Sequence, residues 1–128
     1  MGKLILVVDD SATLRMSVEM TLKPAGFEVA QAINGQEGLK VLEDMATRSQ
    51  APAMIISDVN MPVMDGINFI KEVKKTSFKY LPILVLTTER EDSKKLEGKA
   101  AGAAGWLVKP FKPDTLISVV KKFTRTLS

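Results

Sequence analysis

The chain has 128 residues, the length of one ordinary domain and enough to bury a core without disulfides or a structural metal. It contains no cysteine and no histidine, which excludes thiol chemistry and imidazole bases and leaves oxygen as the donor for any metal, the preference of Mg²⁺, Mn²⁺ or Ca²⁺. Its net charge of +3 comes from lysines scattered along the chain rather than gathered in one stretch, so no nucleic-acid surface is expected.

Leu4-Ile5-Leu6-Val7-Val8 is a continuous apolar run, the pattern of a strand buried on both faces. A helix is expected from about Ala12, with Leu14, Val18, Thr21 and Leu22 on one face, ended near Pro24 and Gly26. Phe27 to Ala32 reads as the second strand. Asn34 followed by Glu37 is a capping-box pattern for a helix carrying Leu39, Val41 and Leu42. After a polar loop at Arg48 to Gln50, Met54-Ile55-Ile56 is the third strand, and a loop bearing proline and glycine runs from Asp58 to Gly66. Ile67, Ile70 and Val73 define a third helix, and Pro82 opens a fourth strand, Ile83 to Leu86. Thr88 with Glu91 is a second capping-box candidate, starting a helix whose thin apolar face is Leu96 and Ala100. Trp106-Leu107-Val108 is a short fifth strand, and Leu116, Val119, Val120, Phe123 and Leu127 pattern a last helix.

Strands alternating with helices imply an α/β fold, a parallel five-stranded sheet covered on both faces. No stretch approaches the roughly 20 apolar residues of a membrane span, and the start is too short for a signal peptide. A single domain over residues 1–128 with no output domain, cytoplasmic and without membrane insertion, is therefore expected.

In open α/β sheets, ligands bind outside the carboxyl ends of the strands. Those positions hold Asp9 and Asp10 after the first strand, Asp58 after the third, Thr87 after the fourth and Lys109 after the fifth. Two carboxylates about 4 Å apart repel by roughly 4 kcal/mol at an effective dielectric near 20, so such a cluster calls for a cation. Three aspartates against one lysine leave two negative charges, which one Mg²⁺ would cancel; Mn²⁺ is compatible with the same oxygens. The constellation suits phosphoryl transfer to a carboxylate, with Lys109 and Thr87 stabilising the transferred group. Aspartate is already ionised at neutral pH, so the absence of a histidine base is no obstacle.

Val7-Val8-Asp9-Asp10, Asp58 within Ser57-Asp58-Val59-Asn60-Met61-Pro62, Asp65-Gly66, Thr87 and Lys109-Pro110-Phe111 together resemble the receiver domains of two-component response regulators, most of all the stand-alone chemotaxis regulators. The resemblance covers essentially the whole chain. It implies a flavodoxin-like doubly wound (βα)5 fold with strand order 2-1-3-4-5 and a phosphoryl group accepted by Asp58. It implies Mg²⁺ held by Asp10, Asp58 and the backbone carbonyl of Asn60, with Asp9 acting through water, and phosphoryl oxygens gripped by Thr87 and Lys109. Asn60 and Glu89 match the positions that tune dephosphorylation, and the Lys109–Pro110 bond matches one that is cis in this family. The implied partners are a sensor histidine kinase as donor, an output protein such as the flagellar motor switch, and a phosphatase. The helix after the fourth strand, Trp106 and the last helix would form the output face.

Trp106 stands where the family has tyrosine or phenylalanine, the ring that turns inward on activation, and Thr88 stands where a smaller residue is common. Taken singly, these residues have plainer readings: Asp9 and Asp10 as helix caps, Asp58 as a turn residue, Lys109 and Glu89 as surface charges, Trp106 as packing. The convergence favours the site. A haloacid-dehalogenase-type phosphatase needs a second acid two residues after its nucleophile, and Ser11 and Asn60 occupy those positions. A nucleotide-binding module would want a glycine-rich loop after the first strand, where Asp9 and Asp10 repel phosphate. A phosphorylation-independent scaffold and a receiver in a phosphorelay complete the alternatives.

Overall fold

Each short apolar run lacking helical periodicity forms a strand, and each periodic segment forms a helix. A computed structural model describes residues 3–125. The strands are β1 (Leu4–Val8), β2 (Glu28–Ala32), β3 (Met54–Ser57), β4 (Ile83–Thr87) and β5 (Gly105–Val108). The helices are α1 (Ala12–Leu22), α2 (Gly35–Thr47), α3 (Gly66–Val73), α4 (Asp92–Ala101) and α5 (Pro113–Thr124). All pairings are parallel and the order is β2-β1-β3-β4-β5, the order that the resemblance implies.

Because side chains alternate along a strand, the sheet serves two cores. Ile5, Val7, Met54, Ile56, Leu84 and Leu86 face α1 and α5, where Val18, Leu22, Leu116 and Val120 meet them. Leu6, Val8, Ile55, Ile83 and Val85 face the opposite layer, with Leu42 of α2 and Phe69, Ile70 and Val73 of α3. The three central strands are buried on both sides, which is why they read as unbroken apolar runs.

Helix ends follow their local chemistry. The Ser11 hydroxyl accepts the Leu14 N–H at 3.2 Å and starts α1, which stops at Leu22 just ahead of Pro24, with Gly26 turning the chain at φ +99°. Asn34 accepts the Glu37 N–H at 2.9 Å, while the Glu37 carboxylate returns to the Ile33 N–H at 2.9 Å, one residue earlier than in the usual reciprocal box. Asp65 caps α3 by accepting the Asn68 N–H at 2.8 Å.

Two expectations about α4 are corrected. Thr88 and Glu91 do not form a capping box, and the helix begins only at Asp92, with no side-chain cap bond. The donors near such a box are taken locally: the Glu89 N–H goes to Thr87 Oγ1 at 3.2 Å and the Glu91 N–H to a Glu89 carboxylate oxygen at 3.3 Å. Leu96 and Ala100 are exposed rather than inward, and Gly98 is the buried residue of the helix. A glycine on the inner face lets the helix backbone lie close against Trp106 and Ile67, and Ala101 packs against the same core. In α5, Leu116 and Val120 are buried and Val119 and Phe123 partly so, whereas Leu127 lies outside the described residues. Among the described residues no helix is long and apolar enough to cross a membrane.

Candidate functional site

The chain leaves β1 for β2 on one side and later enters β3 on the other, so strand order reverses between β1 and β3 and a crevice opens beyond their carboxyl ends. Val8 lies opposite Ser57, Ser57 opposite Val85 and Val85 opposite Trp106, so Asp9 and Asp58 leave the sheet at one height, with Thr87 one residue and Lys109 two residues further along their strands at the same edge. The Asp58 N–H still donates to Val8 O at 3.1 Å and the Lys109 N–H to Thr87 O at 2.7 Å, so the backbones under the site are held by the last rungs of the sheet.

Asp9, Asp10 and Asp58 bring carboxylate oxygens within 4.8 Å of one another. Asp9 is 1% exposed and Asp58 8%, whereas Asp10 is open to solvent. The Lys109 ammonium bridges the buried pair, 2.9 Å from Asp9 Oδ2 and 3.2 Å from Asp58 Oδ2. The other Asp58 oxygen accepts the Val59 N–H at 2.6 Å and the Asn60 N–H at 3.3 Å, and Asp9 Oδ1 accepts the Ser11 N–H at 2.8 Å. Burial pushes the Asp9 carboxyl above its ordinary range, against the pull of the Ser11 N–H and the Lys109 ammonium. The donor set is all hard oxygen, and a single ammonium faces three carboxylates. Such a set suits Mg²⁺, with Asp9, Asp10 and Asp58 as the residues that could hold it.

Thr87 is fully buried beside this pocket. Thr88 is exposed and, with Lys109, Ser11, Leu14, Pro110 and Phe111, lines a groove of about 500 Å³ next to it. Trp106 and Glu89, read separately in the sequence, are joined: the indole Nε1–H donates to the Glu89 carbonyl at 3.2 Å. The Lys109–Pro110 peptide is cis.

Two contributors were not legible as site residues. Arg15 donates from Nη1 to the Asp9 carbonyl at 2.6 Å and from Nε to Gln31 at 3.0 Å, fixing the peptide between the two adjacent aspartates. The available signal was a cation near the start of α1, where the helix dipole disfavours one. Gly66 donates to Val59 O at 2.7 Å, and a Cβ there would lie 2.0 Å from the Asp58 carbonyl oxygen. The Asp65-Gly66 pair therefore exists so that α3 can start against the Asp58–Val59 backbone.

The sequence matches the profile of the response regulator receiver domain over residues 5–121. The chain belongs to that family. This receiver is 33% identical to the chemotaxis protein CheY of Thermotoga maritima, an alignment covering 98% of the chain and 100% of that protein. The solved structure of the chemotaxis response regulator CheY4 of Vibrio cholerae is 48% identical with a TM-score of 0.82, covering 96% of this chain and 99% of that one. The receiver is also 35% identical over 93% of its length to the sensor histidine kinase CheAY of Helicobacter pylori, but spans only 15% of that protein. It likewise spans about half of several transcriptional regulators, 52% of PhoB from Pseudomonas aeruginosa among them.

Proposed function

We propose that this receiver is a phospho-accepting switch of two-component signalling, that Asp58 is the acceptor, and that it works as a free-standing cytoplasmic regulator in chemotaxis. The observation that carries the reading is the Lys109 ammonium held between Asp9 and Asp58 in a pocket of three carboxylates. An isolated lysine–aspartate pair would be structural; a pocket left with surplus negative charge needs a cation, and its open side faces solvent at Asp10.

In the reaction, an Asp58 oxygen attacks the phosphorus of a phosphohistidine on a sensor kinase or of a small acyl phosphate. The new P–O bond forms as the P–N or P–O bond to the donor breaks, and the leaving group departs with the electron pair. Val59 and Asn60 N–H groups hold the Asp58 carboxylate in place before attack. Lys109, already 3.2 Å from Asp58 Oδ2, pairs with the oxygens that arrive, and the Thr87 hydroxyl donates to them. Asp10 and Asp58, with the Asn60 carbonyl and with Asp9 beside them, would hold a Mg²⁺, which would supply the positive charge that an acidic pocket needs to receive a phosphoryl group. Asn60 and Glu89 set the lifetime of the product, and the α4–Trp106–α5 region is the face that an output protein such as the motor switch reads. The chain is thus a switch rather than an enzyme acting on other substrates.

Chemotaxis is favoured over a phosphorelay by the Asn60–Glu89 pairing and by the near end-to-end match to CheY4. Intact-mass measurement after acetyl phosphate and Mg²⁺ should show one added phosphoryl group, absent with EDTA and absent in Asp58→Asn. Labelling of Asp58→Asn at the wild-type rate would refute the acceptor assignment.

A further inference from the structure

We infer that Trp106 is a clamped tie between the Thr87 loop and α4, not a ring that swings on activation, and that it positions the Thr87 hydroxyl for the phosphoryl group. The inference rests on the reading of Asp58 as acceptor. Three contacts carry it. The Trp106 indole N–H donates to the Glu89 carbonyl at 3.2 Å. The N–H of that same Glu89 donates to Thr87 Oγ1 at 3.2 Å. Gly98 of α4 lies on the six-membered part of the ring, so close that a Cβ would sit 2.8 Å from Cζ3 and 3.3 Å from Cε3.

The ring is therefore held at both ends. Its pyrrole side is bonded to the Thr87 loop, and its benzene side lies under a helix backbone that only glycine lets come so near. Thr87 Oγ1 already accepts the Glu89 N–H, which leaves its own proton for donation to an incoming oxygen. Turning the indole outward would orphan the Glu89 carbonyl and leave a void under Gly98, two costs that act together. Gly98 is also the buried residue of α4, so this contact is how that helix is seated. When Thr87 moves, the Glu89 peptide, the indole and α4 move as one body.

The test uses the single tryptophan of the chain as reporter and two variants that cut the tie differently. Trp106→Phe keeps an aromatic ring and removes the donor. Gly98→Ala keeps the tryptophan and drives a methyl group into it, while favouring the helix itself. Acrylamide quenching of Trp106 should be the same before and after Mg²⁺ with beryllofluoride in the wild type, and should rise in Gly98→Ala in either state. Phosphorylation of Trp106→Phe by acetyl phosphate should fall about fivefold, the scale of one hydrogen bond, and show no further fall when Thr87→Ala is added beyond Thr87→Ala alone. A several-fold change in wild-type quenching on beryllofluoride overturns the clamp. Independent, multiplicative effects of Trp106→Phe and Thr87→Ala overturn the positioning role. A wild type that takes up no phosphoryl group at Asp58 refutes the acceptor reading and the positioning role with it, whereas quenching in the resting protein still decides whether the ring is clamped.

Discussion

Burial and charge pull Asp9 in opposite directions. Its carboxyl is almost wholly out of water, and the Ser11 N–H and Lys109 ammonium only partly offset that. A carboxyl whose pKa is raised in the fold stabilises the fold when protonated. That contribution is complete below the ordinary value of 3.8 and is lost as pH climbs through the raised one, so at neutral pH the metal-free protein carries the charged form at a cost. Asp9→Asn should therefore raise the thermal midpoint of the EDTA-treated protein at pH 7, and the gain should shrink toward zero as pH is lowered past the carboxylate range. The asparagine oxygen can still accept the Ser11 N–H, and Lys109 keeps Asp58. In Mg²⁺ the ranking should invert, because the wild type gains a bound ion that the variant holds less well. Melting curves across pH, with and without Mg²⁺, check both signs; a variant less stable than wild type in EDTA at pH 7 would contradict the account.

Among the elements, the loop from Asp58 into α3 is the most constrained. Gly66 has no room for a methyl group, since the obstruction is the backbone oxygen of Asp58 itself. Gly66→Ala should lose about 3 kcal/mol in urea unfolding, the upper range for overpacking, and should weaken Mg²⁺ binding because the Asp58 peptide must shift. The same loop contains a correctable strain. Val63, 74% exposed, adopts φ 71°, a left-handed conformation that a β-branched residue disfavours. Asparagine tolerates it, so Val63→Asn should stabilise the protein by about 1 kcal/mol in the same assay. The elements differ in how far the sequence announced them. Strand ends in a parallel sheet converge by geometry, so Asp9, Asp58 and Lys109 could be placed from their positions after apolar runs. Arg15 could not, because its partner is a backbone carbonyl and carbonyls carry no residue signature. The face of α4 was misread because its inward contact is a glycine, which leaves no apolar mark, and the Thr88 cap failed because neighbouring side chains had already taken the nearby N–H groups.

At the scale of the molecule, the two cores share one sheet, and β4 carries residues of both. Trp106 reports from β5, which is bonded to β4 along four rungs, from Leu84 against Gly105 to Thr87 against Val108. Loss of the indole environment and loss of helix should thus coincide in chemical unfolding, and separate midpoints for tryptophan fluorescence and far-ultraviolet circular dichroism would show the edge detaching first. The overall architecture was legible because alternating strand and helix patterns admit few right-handed parallel arrangements; strand order came from the family resemblance, since periodicity says nothing about which strands are neighbours.

Lys109 and Asp9 stand 100 positions apart in the chain and 2.9 Å apart in space. The stretch from Asp9 to Lys109 must therefore all be made before the pocket can exist. Nascent chains, degradation fragments and versions clipped before β5 have Asp58 but lack the lysine that completes its surroundings. They should draw no phosphoryl groups away from intact molecules. Under the proposed function, the molecules able to accept a phosphoryl group are then those in which β5 has joined the sheet.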